Sequence, residues 1–532
     1  MTRSSKAAVW RTGGRAVGIA VMLLTARLPD RLTGQTTIDT IVVVNHNIFD
    51  LSDDAPGLLA RLANALHVTT RAGVIRRTLF VNPGDGYDSA RVAESERALR
   101  ALYVFSRVQL DTTRIAGRLA LRVETSDGWS TKPQFGYSTA GGDATWLAGL
   151  VEENLLGTAT ALAAVYSKTP DRSVVDLRYG SPHFFGRRTR LVAEYASKSD
   201  GKRGLWFLGV PFYETGARRA LGTDGEAASE RVLVFHHRVA AATVDTVERR
   251  ALRVGVSAGL ALQATSRGFV RLWVGGEWRR EDFGSEGTFV FPRSTFGAVG
   301  GGVDVGHVRF HVLERFNSYA RREDVDLSQL LHVGVWAAPR AWGYPSERAG
   351  IGPELSGQVS ALWPGGFAVL RGGGNGVYTA AGLDTARVTG SVTVASQNLR
   401  RQTLILHLEG GALRRPKPGA EFDLWVLQKG PRVFGIHQFT GTRMVWLALE
   451  DRILVSDEVW GLVGLGLAPF FDYGGAWWYG DEPTRLGGDV GLALRMGPTR
   501  AVHGDVGEFA LGYRFGRGFS GWAVAVRKGV AF

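Results

Sequence analysis

Val463-Gly464-Leu465-Gly466-Leu467-Ala468-Pro469-Phe470-Phe471-Asp472-Tyr473-Gly474 is the stretch whose reading decides the fold. Val463, Leu465, Leu467, Phe471 and Tyr473 alternate with Gly464, Gly466, Ala468, Asp472 and Gly474, a period of two that only a strand converts into two chemically distinct faces. One face is apolar and bulky, the other small or acidic. That division suits a barrel in a bilayer, where bulky residues meet lipid and small or polar ones line the lumen. Downstream, Val490, Leu492 and Leu494 face out while Asp489, Gly491, Ala493 and Arg495 face in. After Thr442, Val445, Leu447, Leu449 and Ile453 face out, leaving Glu450 and Arg452 inside. Alternating segments continue back to Lys132, so residues 130–532 read as one transmembrane antiparallel β-barrel and the fold class as mainly β.

Composition agrees. The 532 residues include 71 Gly and 15 Trp, 13 Tyr and 26 Phe, yet only 45% are hydrophobic and 21% are charged. No apolar run reaches the roughly eighteen residues a spanning helix needs, and a barrel escapes that test because only alternate residues meet lipid. Cysteine is absent, which removes disulfides and thiolate metal sites. The net charge of +13 is dispersed over strands and loops, which favours anionic lipid over nucleic acid as the partner.

Residues 1–35 read as an export signal: Arg3, Lys6, Arg11 and Arg15 precede the apolar run Ala16 to Ala26, too short to span. Residues 36–129 have a different texture. Thr40 to Val44 is a β-branched strand, and Leu58, Leu59, Leu62 and Leu66 lie at helical spacing over Pro56 to His67. A second helix is predicted over Ser89 to Phe105, capped by Ser89 or Asp88, with Val92, Leu99, Leu102 and Tyr103 on one face. Two strands, Arg107 to Asp111 and Arg118 to Glu124, flank a turn at Gly117. This is a small α+β domain ahead of the barrel.

Asp472 on a lumen face needs a cation or water, because an unpaired buried carboxylate is costly. Arg495 and Arg452 are local choices. Phe470-Phe471-Asp472-Tyr473-Gly474 also resembles the Phe-x-Asp-x-Gly strand motif of the bacterial outer-membrane assembly superfamily, the BamA and TamA relatives of the bacterial surface antigen family. In that family the motif meets an Arg on a long loop that folds into the barrel. The resemblance assigns this role to Arg432 in Pro431-Arg432-Val433-Phe434, with Val433 standing where the family has Gly. It implies a loop-strand lock of Arg432, Phe434, Phe470, Asp472 and Gly474, beside Glu450 and Arg452. Glu153-Asn154-Leu155-Leu156-Gly157 and Tyr179-Gly180-Ser181-Pro182 resemble two further elements of the family.

The domain at 36–129 resembles a POTRA module, on the Pro83-Gly84-Asp85 turn, the helix around Glu94 to Arg100 and the paired strands ending at Trp129. Such modules pair client strands along a sheet edge, which assigns Val108, Leu110, Leu119, Leu121 and Val123 to client pairing. Trp522, Val530 and Phe532 on the terminal strand are similar to the family's insertion signal and mark one side of a seam, with Lys528 interrupting the face. The family implies sixteen strands, although the alternating segments number nearer twenty. It further implies a monomer in the outer membrane, its amino-terminal domain periplasmic, that inserts or translocates unfolded or secreted polypeptides. The alternatives are a passive solute pore and a surface-antigen barrel without transport. No cofactor is expected and no enzyme, since Gly-x-Ser-x-Gly, phosphate-loop and His-Glu-x-x-His motifs are missing. His236 and His237 are adjacent on a strand and face opposite sides, and Glu323-Asp324-Val325-Asp326 reads as a solvated loop before it reads as a calcium site.

Overall fold

The computed structural model describes residues 36–48, 61, 64–65, 67–140, 143–239, 241–284, 291–314, 316–319, 322–343, 349–380, 382–424, 429–459, 463–480, 486–499 and 506–528. The expected export signal at 1–35 lies outside these residues, as does most of the helix expected over 56–67.

Among the described residues, the amino-terminal domain is a three-stranded sheet with the two helices Ala72–Thr78 and Ser89–Arg100. Strand β1 (Thr40–His46) runs parallel to β3 (Arg118–Asp127), which pairs antiparallel with β2 (Phe105–Ile115). Ala116 and Gly117, both at positive φ, make the tight β2–β3 turn that the glycine predicted. Helix α1 (Ala72–Thr78) has no strong sequence periodicity because it is only two turns long; burial of Val74 and Ile75 holds it. Helix α2 (Ser89–Arg100) is capped by Asp88, whose Oδ1 accepts from Ala90 N at 2.8 Å. It ends before the predicted Phe105: Tyr103 turns to positive φ and is exposed, while Val92 and Leu99 enter a core with Ile38, Ile75, Leu121 and Val123.

The remainder is a closed antiparallel barrel of twenty strands, from Thr131–Ala140 to Phe519–Lys528, which corrects the expected sixteen. The region between residues 200 and 420 makes the difference. Gly201–Val210 is a strand in its own right, and the segment at 230–242 belongs largely to one long strand, Arg219–Val239. Strand length varies around the wall. The six strands from Thr131–Ala140 to Gly201–Val210 have 8 to 12 residues, whereas Arg219–Val239 and Ala241–Ala264 have 21 and 24. The outer face is apolar, with Val254, Val256, Leu331, Val333, Leu404, Leu406, Val490, Leu492 and Leu511 exposed, while Asp489, Ala493 and Ala510 of the same wall are buried inside. A closed cylinder with such an exterior fits the hydrocarbon of a bilayer and leaves few backbone groups unpaired.

The domain is docked on the barrel's rim by four interstrand connections. Arg71 N donates to Gly157 O at 2.9 Å and Asn154 Nδ2 to Thr70 Oγ1 at 2.9 Å, so the Glu153 to Gly157 element serves as a docking turn. Thr78 Oγ1 meets His183 Nε2 at 3.0 Å, next to Ser181 and Pro182. Glu94 Oε1 accepts from Thr215 N and Oγ1 at 2.7 and 2.6 Å. The fourth contact joins Arg100 to Asp324.

Candidate functional site: an inward loop locked to the barrel wall

Between the strands Gln402–Arg414 and Arg443–Val459 the chain turns into the lumen, where Phe422–Leu424 pairs with Phe439–Gly441. Loop and wall meet through Leu413, Phe422, Phe434, Phe439, Met444 and Trp446, with Phe519 of the last strand packed against them. Phe434 lies edge-on to Phe519 at 5.0 Å between centroids. A Cβ on Gly487 would stand 2.8 Å from Phe439 Cζ and 2.9 Å from Phe434 Cζ, so glycine in the wall makes room for these rings. Gly474 has a different constraint: a Cβ there would strike the backbone of Val445 and Trp446 on the adjacent strand.

Arg432 occupies the centre and is 1% exposed. Its Nε donates to Asp472 Oδ2 at 2.6 Å and its Nη2 to Oδ1 at 3.2 Å, a two-pronged grip. Nη1 donates to Glu508 Oε1 at 2.7 Å and Glu450 Oε2 at 3.0 Å, and the guanidinium lies 4.0 Å above the Phe470 ring. Burial works against its charge, but Asp472, Glu508 and Glu450 outweigh that and raise its pKa well above the ordinary value. Arg452 Nε donates to Glu450 Oε1 at 2.6 Å, and Arg527 Nη2 reaches both oxygens of Glu508 at 3.1 Å. With Arg495 and Asp489 the cluster sets four guanidinium groups against four carboxylates, so no large net charge is sealed in the wall.

The structure thus brings together Arg432, Phe434, Phe470, Asp472, Glu450 and Arg452, and Asp472 takes the distant Arg432 rather than Arg452 or Arg495. Sequence reasoning missed Glu508 and Arg527 as members. Their signal was present: Glu508, Ala510 and Gly512, like Ala523, Ala525 and Arg527, occupy the small or charged positions of alternating strands. Val433, out of step with the expected glycine, is fully buried against Ala468, Ala493, Ala510 and Ala525. Gly512 supplies the space, since a Cβ there would come within 3.2 Å of both Val433 methyl groups.

Around the lumen the loop has further tethers. Lys417 Nζ meets Glu281 Oε2 at 2.5 Å, Lys429 Nζ meets Glu409 at 2.7 Å, and Thr440 Oγ1 donates to Phe235 O at 2.6 Å. His437 stacks on Phe235 at 3.4 Å and bridges Asp423 and Asp171 at 2.5 and 2.9 Å. Burial lowers its pKa, but the hydrogen bonds it donates to the carboxylates of Asp171 and Asp423 prevail and lift it to about 9.

Part of the expected client-pairing set lies away from a sheet edge. Leu119, Leu121 and Val123 are on β3, the central strand, whose two edges are already taken by β1 and β2; only Val108 and Leu110, on β2, belong to a strand with an outer edge unpaired in its sheet. At the seam, Trp522 is exposed and pairs with Tyr513, whereas Val530 and Phe532 lie outside the described residues. Among the described residues, one register pair, Val526 with Thr139, joins the last strand to the first.

Fold and site together define a closed β-barrel with an inward loop fixed by a buried ion cluster and a docked amino-terminal domain. Among solved structures, the chain is similar to BamA from Haemophilus ducreyi lacking POTRA domains 1–3, at 12% identity over 91% of this chain and 84% of that one, with a TM-score of 0.39. It is also similar to CdiB from Escherichia coli, at 12% identity over 92% and 76% with a TM-score of 0.47, and to CdiB from Acinetobacter baumannii, at 9% over 92% and 73% with a TM-score of 0.41. The sequence matches no family model and no curated protein.

Proposed function

We propose that this chain is an outer-membrane barrel that inserts or translocates polypeptides without covalent chemistry, with its amino-terminal domain in the periplasm. The observation that carries the reading is the route from loop to seam. Arg432 holds Glu508, Glu508 holds Arg527, and Arg527 adjoins Val526, the residue that pairs with Thr139 on the first strand. An inward loop that is ionically continuous with the seam strand can couple what enters the lumen to how firmly the wall is closed. A passive pore has no use for a linkage between its inward loop and its seam. The free edge of β2 offers backbone groups to an extended client by strand addition, and client folding supplies the driving force.

The chain has no cysteine, so Thr139→Cys with Val526→Cys introduces one defined crosslink across the seam. In proteoliposomes supplied with an unfolded barrel client, the oxidised variant should insert little and the reduced variant should recover. Equal insertion in both states would overturn the reading.

A further inference from the structure

A second segment enters the barrel from the end that carries the domain. Phe310–Glu314 and Arg322–Asp326 pair as a hairpin in the connection between the strands Phe291–His307 and Gln329–Ala338. The other connections on this rim are shorter. This one crosses the lumen. Phe316 and Leu327 are buried against Phe367, Val369, Ala395 and Ile405, apolar side chains on the inner wall that would otherwise face water. Another bulky apolar patch on the inner wall, at Leu413, Met444 and Trp446, is covered by the inward loop, and this one is covered by the hairpin seated on it.

Further round the same wall the hairpin has a shaped seat. A Cβ on Gly464 would stand 2.6 Å from Tyr319 Cβ and 2.9 Å from its Cδ1, one on Gly466 2.6 Å from its Oη, and one on Gly497 3.0 Å from its Cδ2. Three glycines on two neighbouring strands therefore leave the flat recess that the ring occupies. Tyr319 Oη donates to Arg495 O at 3.1 Å, and Arg452 Nη1 donates to Phe316 O at 2.5 Å and Asn317 Oδ1 at 2.9 Å. The last two contacts come from the side chain that also grips Glu450 in the loop lock.

At its base the hairpin is held by the domain. Arg100 of α2 makes a two-pronged pair with Asp324, at 2.7 Å for both bonds, and Arg97 lies 4.4 Å from the centre of the Phe310 ring. Glu323 is spent inside the hairpin, accepting from Asn317 N and Ser318 N at 2.9 and 2.7 Å. The acidic run at 323–326 is thus a strand of the hairpin rather than a solvated loop. Its charges fix the hairpin's shape and its attachment.

We propose that this hairpin is a plug for the domain-side mouth of the barrel, and that the amino-terminal domain is the clasp that keeps it seated. Movement of α2 pulls on Asp324, lifts Tyr319 from its glycine recess and takes Phe316 and Asn317 from Arg452, so that unplugging reaches the loop lock through one side chain. The proposal concerns ion passage and needs no polypeptide client.

The test is conductance of the full chain in planar bilayers without a client, with heat-modifiable gel mobility to verify a folded barrel. Gly464→Ala places its methyl group against Tyr319, which should evict the ring and raise conductance several-fold. Asp324→Ala should do the same by releasing the clasp. In Tyr319→Cys with Gly464→Cys, the oxidised, crosslinked protein should stay closed, including when Asp324→Ala is added, and reduction should open it. Folded Gly464→Ala and Asp324→Ala proteins with wild-type conductance, or equal conductance in the oxidised and reduced pair, would overturn the proposal. Because client insertion is measured separately, failure here leaves the polypeptide reading standing, and the reverse holds as well.

Discussion

Arg527, at the end of the last strand, and Arg432, on the inward loop, share the carboxylate of Glu508, at 3.1 and 2.7 Å to the same Oε1. The loop and the closing strand are therefore neighbours in one charge cluster, and neither can be displaced without leaving Glu508 short of a partner. Removing one member of a buried pair strands the rest.

For Arg432→Ala, Asp472, Glu450 and Glu508 all lose a donor in a site that excludes water. The expected loss is about 3–5 kcal/mol of barrel stability. Arg432→Lys should recover little of it, because an ammonium cannot serve Asp472 from two prongs while reaching Glu508. Urea unfolding in lipid vesicles, followed by heat-modifiable mobility, checks both.

Val433 and Gly512 should behave as one unit. Gly512→Ala crowds the two Val433 methyl groups and Phe470, while Val433→Gly empties a pocket walled by four alanines. Each should cost about 1–3 kcal/mol alone. Combined, they should cost clearly less than the sum, as contacting residues do. Strict additivity in the same unfolding assay would mean that the contact contributes nothing.

The loop's hold on the rim should be sensitive to alkali. His437 is raised from its ordinary value to about 9 by Asp423 and Asp171. A raised value means that the charged form is favoured in the folded protein, so the contribution is whole below about 6.5 and fades as pH climbs through about 9. Limited proteolysis of the loop from about pH 6 to about 10 should show cleavage rising at the upper end. His437→Gln should flatten that profile and cleave readily throughout.

The amino-terminal domain has its own buried anchor. Asp127 Oδ2 accepts from Thr70 N at 2.6 Å and meets His67 Nε2 at 2.8 Å, while Oδ1 accepts from Asn45 Nδ2 at 3.1 Å. Asp127→Ala leaves these groups unsatisfied at a cost of about 1–3 kcal/mol each at most. Trypsin should then trim the domain from a barrel that remains heat-modifiable, whereas loss of the whole chain together would show that the domain and barrel unfold as one.

The barrel was legible because lipid and lumen impose a period of two on every strand, and Val463 to Gly474 shows it plainly. The strand number was not. A long strand such as Arg219–Val239 leaves the hydrocarbon partway along, and its pairing runs continuously from Arg219 to His236 with no turn to mark where the membrane ends. Arg432 and Asp472 were legible as a pair through a motif, whereas alternation could place Glu508 on a lumen face but not say what it meets, since no partner is written beside it. The hairpin at Phe310 was invisible for a related reason. What makes it a plug is the absence of side chains at Gly464, Gly466 and Gly497, and sequence alone does not say what fills a space left empty on the other side of a barrel.

The uneven strand lengths have a consequence for the outline of the molecule. About 9–11 residues suffice to cross a bilayer, so the 10-residue strands beside the seam end near its surface, while Ala241–Ala264 continues for roughly 30 Å on the side away from the amino-terminal domain. The protein therefore has a crest along one flank and a low shoulder at the seam. With the amino-terminal domain in the periplasm, as proposed above, antibodies and phage would reach the crest first, leaving the seam sheltered behind it.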